Sequence, residues 1–239
     1  MFIEISYTLD PQKIVMPGPI DKPMVIKRSR MAPQPEGSEE TDVRWGSYNN
    51  TSFVRIFAHT GTHIDAPFHV DPEGFMVHDF DLNNFIFEYP VLLDIPKAAF
   101  EKITMDELTP HADELSKADI LLIHTGWSKV RNQEPERFVA EQPSFTVEAA
   151  NYLVDNFNIR AFGIDTIGIE NISEGKAGSP LQFPVHKTFL LKKKQKSIVI
   201  EDLNLKLLLG KKLRRFYVIP LRLYDIEAMP VTAFAEVED

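Results

Sequence analysis

The sequence contains no cysteine. Disulfide bonds, thiolate nucleophiles and cysteine-ligated metals are therefore excluded, and any bound metal must be held by histidine, carboxylate, backbone or water. The chain also lacks a run of eighteen or more apolar residues, so we expect no membrane-spanning helix. Residues 1–6 show no basic region followed by an apolar one, which is untypical of a signal peptide. We therefore expect a cytoplasmic protein.

Two kinds of enzyme motif are missing as well. There is no Gly-x-Ser-x-Gly sequence, so a serine hydrolase is poorly supported, and there is no glycine-rich phosphate loop. The 239 residues carry a formal net charge of −9, which argues against non-specific binding to nucleic acid or to an anionic membrane. In such a chain the basic runs at 192–196 and 211–215 are expected to be solvated loops.

The chemistry-bearing residues that are present concentrate between His59 and His69, in the sequence HTGTHIDAPFH. This stretch holds three of the seven histidines and one aspartate. The run before it, residues 51–58, is β-branched and aromatic and predicts a strand. Gly61 and Pro67 argue against a helix through the motif.

We therefore expect a turn at Thr60-Gly61 followed by extended chain. Side chains alternate in extended chain, so His63, Asp65 and His69 would point to one side, and the turn would bring His59 towards them. Imidazole nitrogen and carboxylate oxygen suit zinc, and manganese or iron are also compatible. Ordinary polar residues on a half-buried strand are the weaker interpretation, because four candidate ligands converge.

Strands outnumber helices along the rest of the chain, which predicts a mixed α/β domain with a substantial sheet. Residues 104–108 and 146–157 each begin with a threonine suited to capping and predict helices. Strands are predicted at 2–9, 25–28, 90–95, 119–125, 159–165, 197–200 and 215–223. No internal repeat or linker divides the chain, so residues 1–239 are expected to form one domain. The segment 32–42 has the composition of a lid or of an idle surface loop, and the idle loop is the simpler interpretation.

Two further groups of residues are ambiguous on sequence alone. His186 lies in an apolar run and Glu201 follows a strand; such residues are more often core or solvated groups than ligands. The aromatic residues near the motif are candidates for the wall of a binding pocket, although Phe53 and Phe57 alternate along a strand and are expected in the core. The others are Trp45, Phe68, Phe75 and Phe80.

The motif resembles the pattern H-x-G-T-H-x-D-x-P-x-H of the cyclase family, which includes bacterial kynurenine formamidases and isatin hydrolases. Further segments resemble that family in the same order along the chain: LIHTGW at 122–127, GIDT at 163–166, FPVH at 183–186 and IEDL at 200–203. The resemblance implies a single mixed-sheet α/β domain of the swivelling β/β/α type. It also implies a metal-dependent hydrolase of small amides, such as aryl-formamides or cyclic amides.

When the family's ligand positions are carried over to this sequence, the resemblance implies two groups of metal ligands. The first group is His59, His63 and Asp65, and the second is His186 and Glu201. Asp65 would bridge two ions in dinuclear members, and His69 would be the general base or proton shuttle. The implied cofactor is one or two divalent ions, with zinc favoured over manganese. The implied partners are a small-molecule substrate and further copies of the chain, as a dimer or tetramer.

The chain departs from the family pattern in places. Met16 stands where an aromatic residue often precedes Pro17-Gly18, and His124 stands where an arginine is common, so the resemblance does not define the substrate. The segment between His186 and Glu201 is also longer than usual. The alternative function is a metal- or ligand-binding protein that keeps the fold without turnover, and a complete ligand set favours the enzyme.

Overall fold

The computed structural model describes residues 1–12, 24–31, 49–171, 173, 183–192 and 196–238. Within these ranges the strands are β1 Phe2–Glu4, β2 Met24–Met31, β3 Asn49–Ile56, β4 His63–Asp65, β5 Ile86–Phe87, β6 Pro90–Asp94, β7 Lys102–Ile103, β8 Ile120–His124, β9 Ser144–Phe145, β10 Ala161–Ile164, β11 Ile198–Glu201, β12 Leu213–Pro220 and β13 Ala228–Val237. The α-helices are α1 Met105–Leu108, α2 Ala112–Leu115, α3 Pro135–Ala140, α4 Val147–Asn156 and α5 Pro184–Leu191. The segment 32–42, Met16 and Trp45 lie outside the described residues.

Nine of these strands form one mixed sheet in the order β5–β12–β13–β4–β11–β10–β8–β6, with β1 paired to β13. The four strands β11, β10, β8 and β6 are parallel to one another. Strand β4 pairs antiparallel with β11 on one side and with β13 on the other. The predicted mixed α/β fold with a large sheet is therefore confirmed. No helix in the described ranges has the length and apolar character needed to cross a membrane.

The parallel strands form the centre of the core because apolar residues occupy both of their faces. Every residue of β8 and β10 is buried. Alternate residues enter two different apolar clusters: Leu122 packs on one side of the sheet, whereas Ile123 packs on the side that also receives α4 and α5. On that second side the rings of Phe162 in β10 and Phe189 in α5 stack with centroids 4.0 Å apart. This packing holds α5 against the sheet beside β11.

Most predicted elements are present, with some different boundaries. Thr146 caps α4 as expected, because its hydroxyl accepts a hydrogen bond from the Ala149 amide at 3.0 Å. The strand predicted over 2–9 ends at Glu4: the amide of Ile5 still donates to Ala233 in β13, but its carbonyl accepts from the Asn204 amide instead. Neither α5 nor β13 was predicted.

A buried ion pair supports the turn that follows β11. Arg131 is 5% exposed, and its guanidinium donates to both carboxylate oxygens of Asp202, which is fully buried. The backbone of Asp202 adopts the left-handed region, with φ of 55°. Its carbonyl accepts from the Thr62 hydroxyl at 2.6 Å, and its amide donates to the Thr166 carbonyl at 2.7 Å. The residue thus links three separate segments of the chain.

We predict that Arg131→Met lowers the free energy of unfolding by about 3–5 kcal/mol, because it leaves the Asp202 carboxylate buried without its cation. Urea unfolding followed by circular dichroism measures the change. The control is Arg137→Met, which removes an exposed pair with Glu141 and should change stability little. Equal losses in the two variants would contradict the structural role of the buried pair.

Candidate metal centre

Strand β4 supplies the centre of the candidate site. Ile64 is fully buried in the apolar core, and because strand side chains alternate, His63 and Asp65 face the opposite side together. His63 is fully buried and Asp65 is 1% exposed. The predicted alternation of these two residues is confirmed.

A left-handed glycine brings His59 to the same point. Gly61 has φ of 63°, a conformation that favours glycine, and a Cβ there would lie 2.5 Å from the Leu9 side chain. The chain therefore turns between β3 and β4 as expected. As a result His59 Nδ1 lies 2.9 Å from Asp65 Oδ1.

His69 reaches the site by a different path from the predicted one. The extended chain ends at Asp65, and residues Pro67–His69 form a 3-10 helix, with the proline at its first position. The backbone of Gly74 packs so closely on this helix that a Cβ there would lie 2.5 Å from the carbonyl carbon of Pro67. The His69 ring nevertheless lies beside the others, with its centroid 4.5 Å from that of His59.

The two downstream residues complete the cluster. The β4–β11 register places Glu201 directly opposite His63, and Glu201 Oε2 lies 3.4 Å from His63 Nε2. His186 projects from α5, and its Nε2 lies 3.3 Å from Glu201 Oε1 and 3.7 Å from Asp65 Oδ2. The structure therefore brings together all six residues proposed from the sequence.

The arrangement fits a divalent metal ion. Two ligand atoms that each lie about 2.1 Å from one ion are at most about 4.2 Å apart, and the distances of 2.9 to 3.7 Å given above meet this limit. Asp65 belongs to two groups of potential ligands, one with His59 and His69 and one with His63 and Glu201. Most directly, within the described ranges the buried atoms His63 Nε2 and Asp65 Oδ1 make no hydrogen bond of normal geometry, although His59 Nδ1 lies 2.9 Å from the aspartate oxygen. Such orphaned atoms are costly unless an ion binds them.

Charge balance points the same way. Burial lowers the pKa of His59, but the carboxylates of Asp65, Glu227 and Glu201 together outweigh burial and raise it to about 10. Burial likewise lowers the pKa of His186, but hydrogen bonds with Glu170 and Glu201 raise it to about 10. Burial raises the pKa of Asp65, and the neighbouring imidazoles outweigh it and lower that pKa. Without an ion, protons on the histidines balance the carboxylates, and a divalent ion would displace them.

Two carboxylates at the site were missed in the sequence analysis. Glu170 Oε2 lies 2.7 Å from His186 Nδ1, and Glu227 Oε1 lies 3.3 Å from His59 Nε2. Neither residue carries a local motif, and only the tertiary fold brings them to the histidines. Histidine ligands commonly bond to such a carboxylate through the nitrogen that does not bind the metal.

A cavity of about 410 Å³ opens beside the cluster. Its lining includes the apolar side chains Phe57, Ile167 and Phe183. The expectation that Phe53 and Phe57 belong to the core is wrong: Phe53 is 65% exposed and Phe57 lines the cavity, because β3 pairs only with β2 among the described strands. Phe80, in contrast, is 1% exposed and belongs to the core.

Comparison with known proteins shows related chains. A sequence model of the family described as "Putative cyclase" matches residues 3–171. The kynurenine formamidase of Geobacillus thermodenitrificans is 34% identical over 186 residues, which cover 77% of this chain and 75% of that protein. Isatin hydrolase A from Ralstonia solanacearum shares the fold, with a TM-score of 0.75 and 21% identity over 100% of this chain and 92% of the other. A predicted metal-dependent hydrolase from Bacillus stearothermophilus aligns with a TM-score of 0.67 and 26% identity, covering 98% and 97% of the two chains.

We predict that zinc stabilises the metal-free protein and that His63→Ala removes most of this effect. At 100 times the Kd, binding adds about 2.7 kcal/mol, which corresponds to a rise in Tm of roughly 5–11 °C for a chain of this size. Differential scanning fluorimetry of chelator-treated protein measures the shift. His111→Ala, a histidine outside the cluster, should keep the full shift; a variant of His63 that keeps it too would argue against a metal centre.

Proposed function

Because the chain belongs to the cyclase family, we propose that it is a metal-dependent hydrolase that cleaves the C–N bond of a small amide. The observation that carries the proposal is the pair of orphaned buried atoms, His63 Nε2 and Asp65 Oδ1, beside a cavity lined partly by apolar side chains. The substrate class is an aryl-formamide or a cyclic amide. The names of the related kynurenine formamidase and isatin hydrolase support this choice.

The proposed ligands divide into two groups around one shared carboxylate. By the family resemblance, His59, His63 and Asp65 would hold one ion, and His186 and Glu201 would complete a second position that shares Asp65. A divalent ion supplies Lewis acidity, which lowers the pKa of water and polarises a carbonyl oxygen. Nitrogen and carboxylate donors suit zinc first and manganese second.

His69 is the proposed base. Burial lowers its pKa, the neighbouring His59 and His186 lower it further, and Asp65 opposes them. A neutral imidazole at working pH is suited to accept the proton of an attacking water. After the oxygen–carbon bond forms, the same imidazole returns the proton to the departing nitrogen as the C–N bond breaks. The carbonyl product is then a carboxylic acid and the nitrogen leaves as an amine, or remains tethered to it when the amide is cyclic.

The cavity suits a flat, largely apolar acyl compound. Its volume of about 410 Å³ lies in the usual range for small-molecule sites, about 300–1,000 Å³. The ring of Phe183 meets that of His69 edge-on at 5.9 Å between centroids and that of His186 at 5.4 Å. An aromatic substrate placed against this ring would lie next to both the proposed base and the second metal position.

We further propose that residues 1–239 act as one domain and that the chain forms a homo-oligomer. The ribbon of β2 and β3 supports the second point, because it exposes apolar side chains: Ile26 is 41%, Phe53 65% and Val54 50% exposed. A two-stranded ribbon of this kind is marginal unless something covers it. Light scattering of the purified protein gives the assembly state.

We predict that His69→Ala lowers kcat about 100- to 10,000-fold, the usual contribution of a general base, while the bound metal stays at the wild-type amount. Elemental analysis of the purified variant and a steady-state assay measure the two quantities. His69→Gln should behave in the same way. Loss of metal from either variant would instead make His69 a ligand, a role compatible with its position beside His59 and Asp65.

The substrate class has its own test. Purified protein reconstituted with zinc or manganese is assayed with N-formylkynurenine, isatin and other cyclic amides, and one of these should be hydrolysed in a metal-dependent way. Bound metal without hydrolysis of any amide would favour the binding protein without turnover. Absence of both would remove the proposal.

A further inference from the structure

The loop that follows β10, residues 167–171, contacts both of the downstream ligands. The amide of Ile169 donates to Glu201 Oε1 at 2.6 Å. The next side chain, Glu170, contacts His186, with its Oε2 2.7 Å from the ring Nδ1. We propose that Glu170 is a positioning residue, which sets the orientation of the His186 ring and thereby the metal affinity of the second position.

The carboxylate of Glu170 has three donors. Besides the His186 ring, Oε1 accepts from the Val185 amide at 3.0 Å and Oε2 accepts from the His186 amide at 3.1 Å. The side chain is only 12% exposed. The backbone bonds hold the carboxylate against the start of α5, so the ring nitrogen that it contacts is Nδ1 and the free nitrogen, Nε2, faces Glu201 and Asp65. Fixing one ring nitrogen in this way defines which nitrogen is available to a metal.

The loop that carries Glu170 is itself held by Gln142. This side chain is fully buried, accepts from the Gly168 amide at 2.9 Å and donates to the Glu170 carbonyl at 2.7 Å. Gly168 permits the approach, because a Cβ there would lie 2.9 Å from Gln142 Nε2. The two hydrogen bonds with Gln142 therefore fix the backbone from which the Glu170 side chain projects.

The other histidines are held in weaker or different ways. His63 Nδ1 lies 2.8 Å from the backbone carbonyl of Gly61, which no side-chain substitution removes. Glu227 lies 3.3 Å from His59, and its side chain is 33% exposed, so solvent screens that contact. Among these three contacts, only that of Glu170 is both buried and made by a side chain. A substitution can therefore remove it and measure its effect.

The experiment is a zinc titration of metal-free protein by calorimetry, with chelator competition. The inference rests on the proposed function, because it needs an ion at the second position. The variant His186→Ala identifies this ion, since the ion whose binding is abolished in that variant is the one at the second position. Glu170→Ala should weaken the same ion about 10- to 100-fold, the usual effect of losing such a partner. The ion held by His59 and His63 should keep its affinity.

Two further variants separate positioning from folding. In Glu170→Gln one amide oxygen still accepts hydrogen bonds, so the loss should be smaller than in Glu170→Ala; if the alanine variant does not fold, the glutamine variant carries the comparison. Thr146→Ala removes the cap of α4 and should lower Tm by a few degrees. It should leave every zinc affinity unchanged, because α4 supplies no ligand.

The possible failures are distinct. A wild-type chain that takes up no zinc would overturn the proposed function and the inference with it. A second outcome would overturn the inference alone: His186→Ala abolishes one of the ions that the wild-type chain binds, but Glu170→Ala binds that ion with unchanged affinity. Weakening of all ions equally, in Glu170→Ala and Thr146→Ala alike, would show a general loss of stability and would also overturn it.

Discussion

The pairing of β4 with β11 is the constraint on which the site depends. It places His63 opposite Glu201 and Ile64 opposite Ile200. The two isoleucines are fully buried in one apolar cluster, so this register places both of them on the apolar side of the sheet. A slip of one residue would move Ile64 to the polar side and both His63 and Asp65 into the core. The apolar core thus determines the geometry of the polar cluster, and no contact between the ligands themselves is needed to define the register.

Other buried carboxylates of the chain show why this cluster is different. Asp165 is fully buried, and both of its oxygens accept hydrogen bonds, from Thr125, Gly126 and Ser128. Asp202 is fully buried and is paired with Arg131. Both are satisfied by groups of the protein. Asp65, equally buried, has an oxygen that makes no hydrogen bond of normal geometry in the described part of the chain, and the nearby His59 imidazole is itself a candidate ligand. The difference between Asp65 and these structural carboxylates is compatible with the metal proposed at this position.

How far the sequence predicts the structure differs between the two halves of the site. The first half is local: β-branched residues, a glycine and a proline within residues 51–69 predict the strand, the turn and the shared side of His63 and Asp65. His69 was predicted in extended chain and lies on a 3-10 helix instead, because the proline and the close approach of Gly74 end the strand. The alternation of side chains along a strand contains no information about such a tertiary contact. The position of the residue was nevertheless correct, since either path brings the ring to His59.

The second half depends on tertiary structure. His186 and Glu201 were identified only through the resemblance, and Glu170 and Glu227 were missed, because their proximity arises from strands and helices that are distant in sequence. In the sheet, β13 was also not predicted, although it pairs with β4 and follows Glu227 directly.

The topology explains why these distant residues meet. Helix α5 lies between the parallel neighbours β10 and β11 in sequence, as the helix of a crossover connection. In that arrangement the helix begins near the end of the sheet where the parallel strands finish, the usual location of sites in α/β proteins. Glu201 is the last residue of β11, and His186 lies in the first turn of α5. Glu170 follows the end of β10 and bonds to the first amides of α5. The carboxylate that holds the helix in place therefore also holds the histidine, so the packing of the crossover and the geometry of the second metal position are parts of one arrangement.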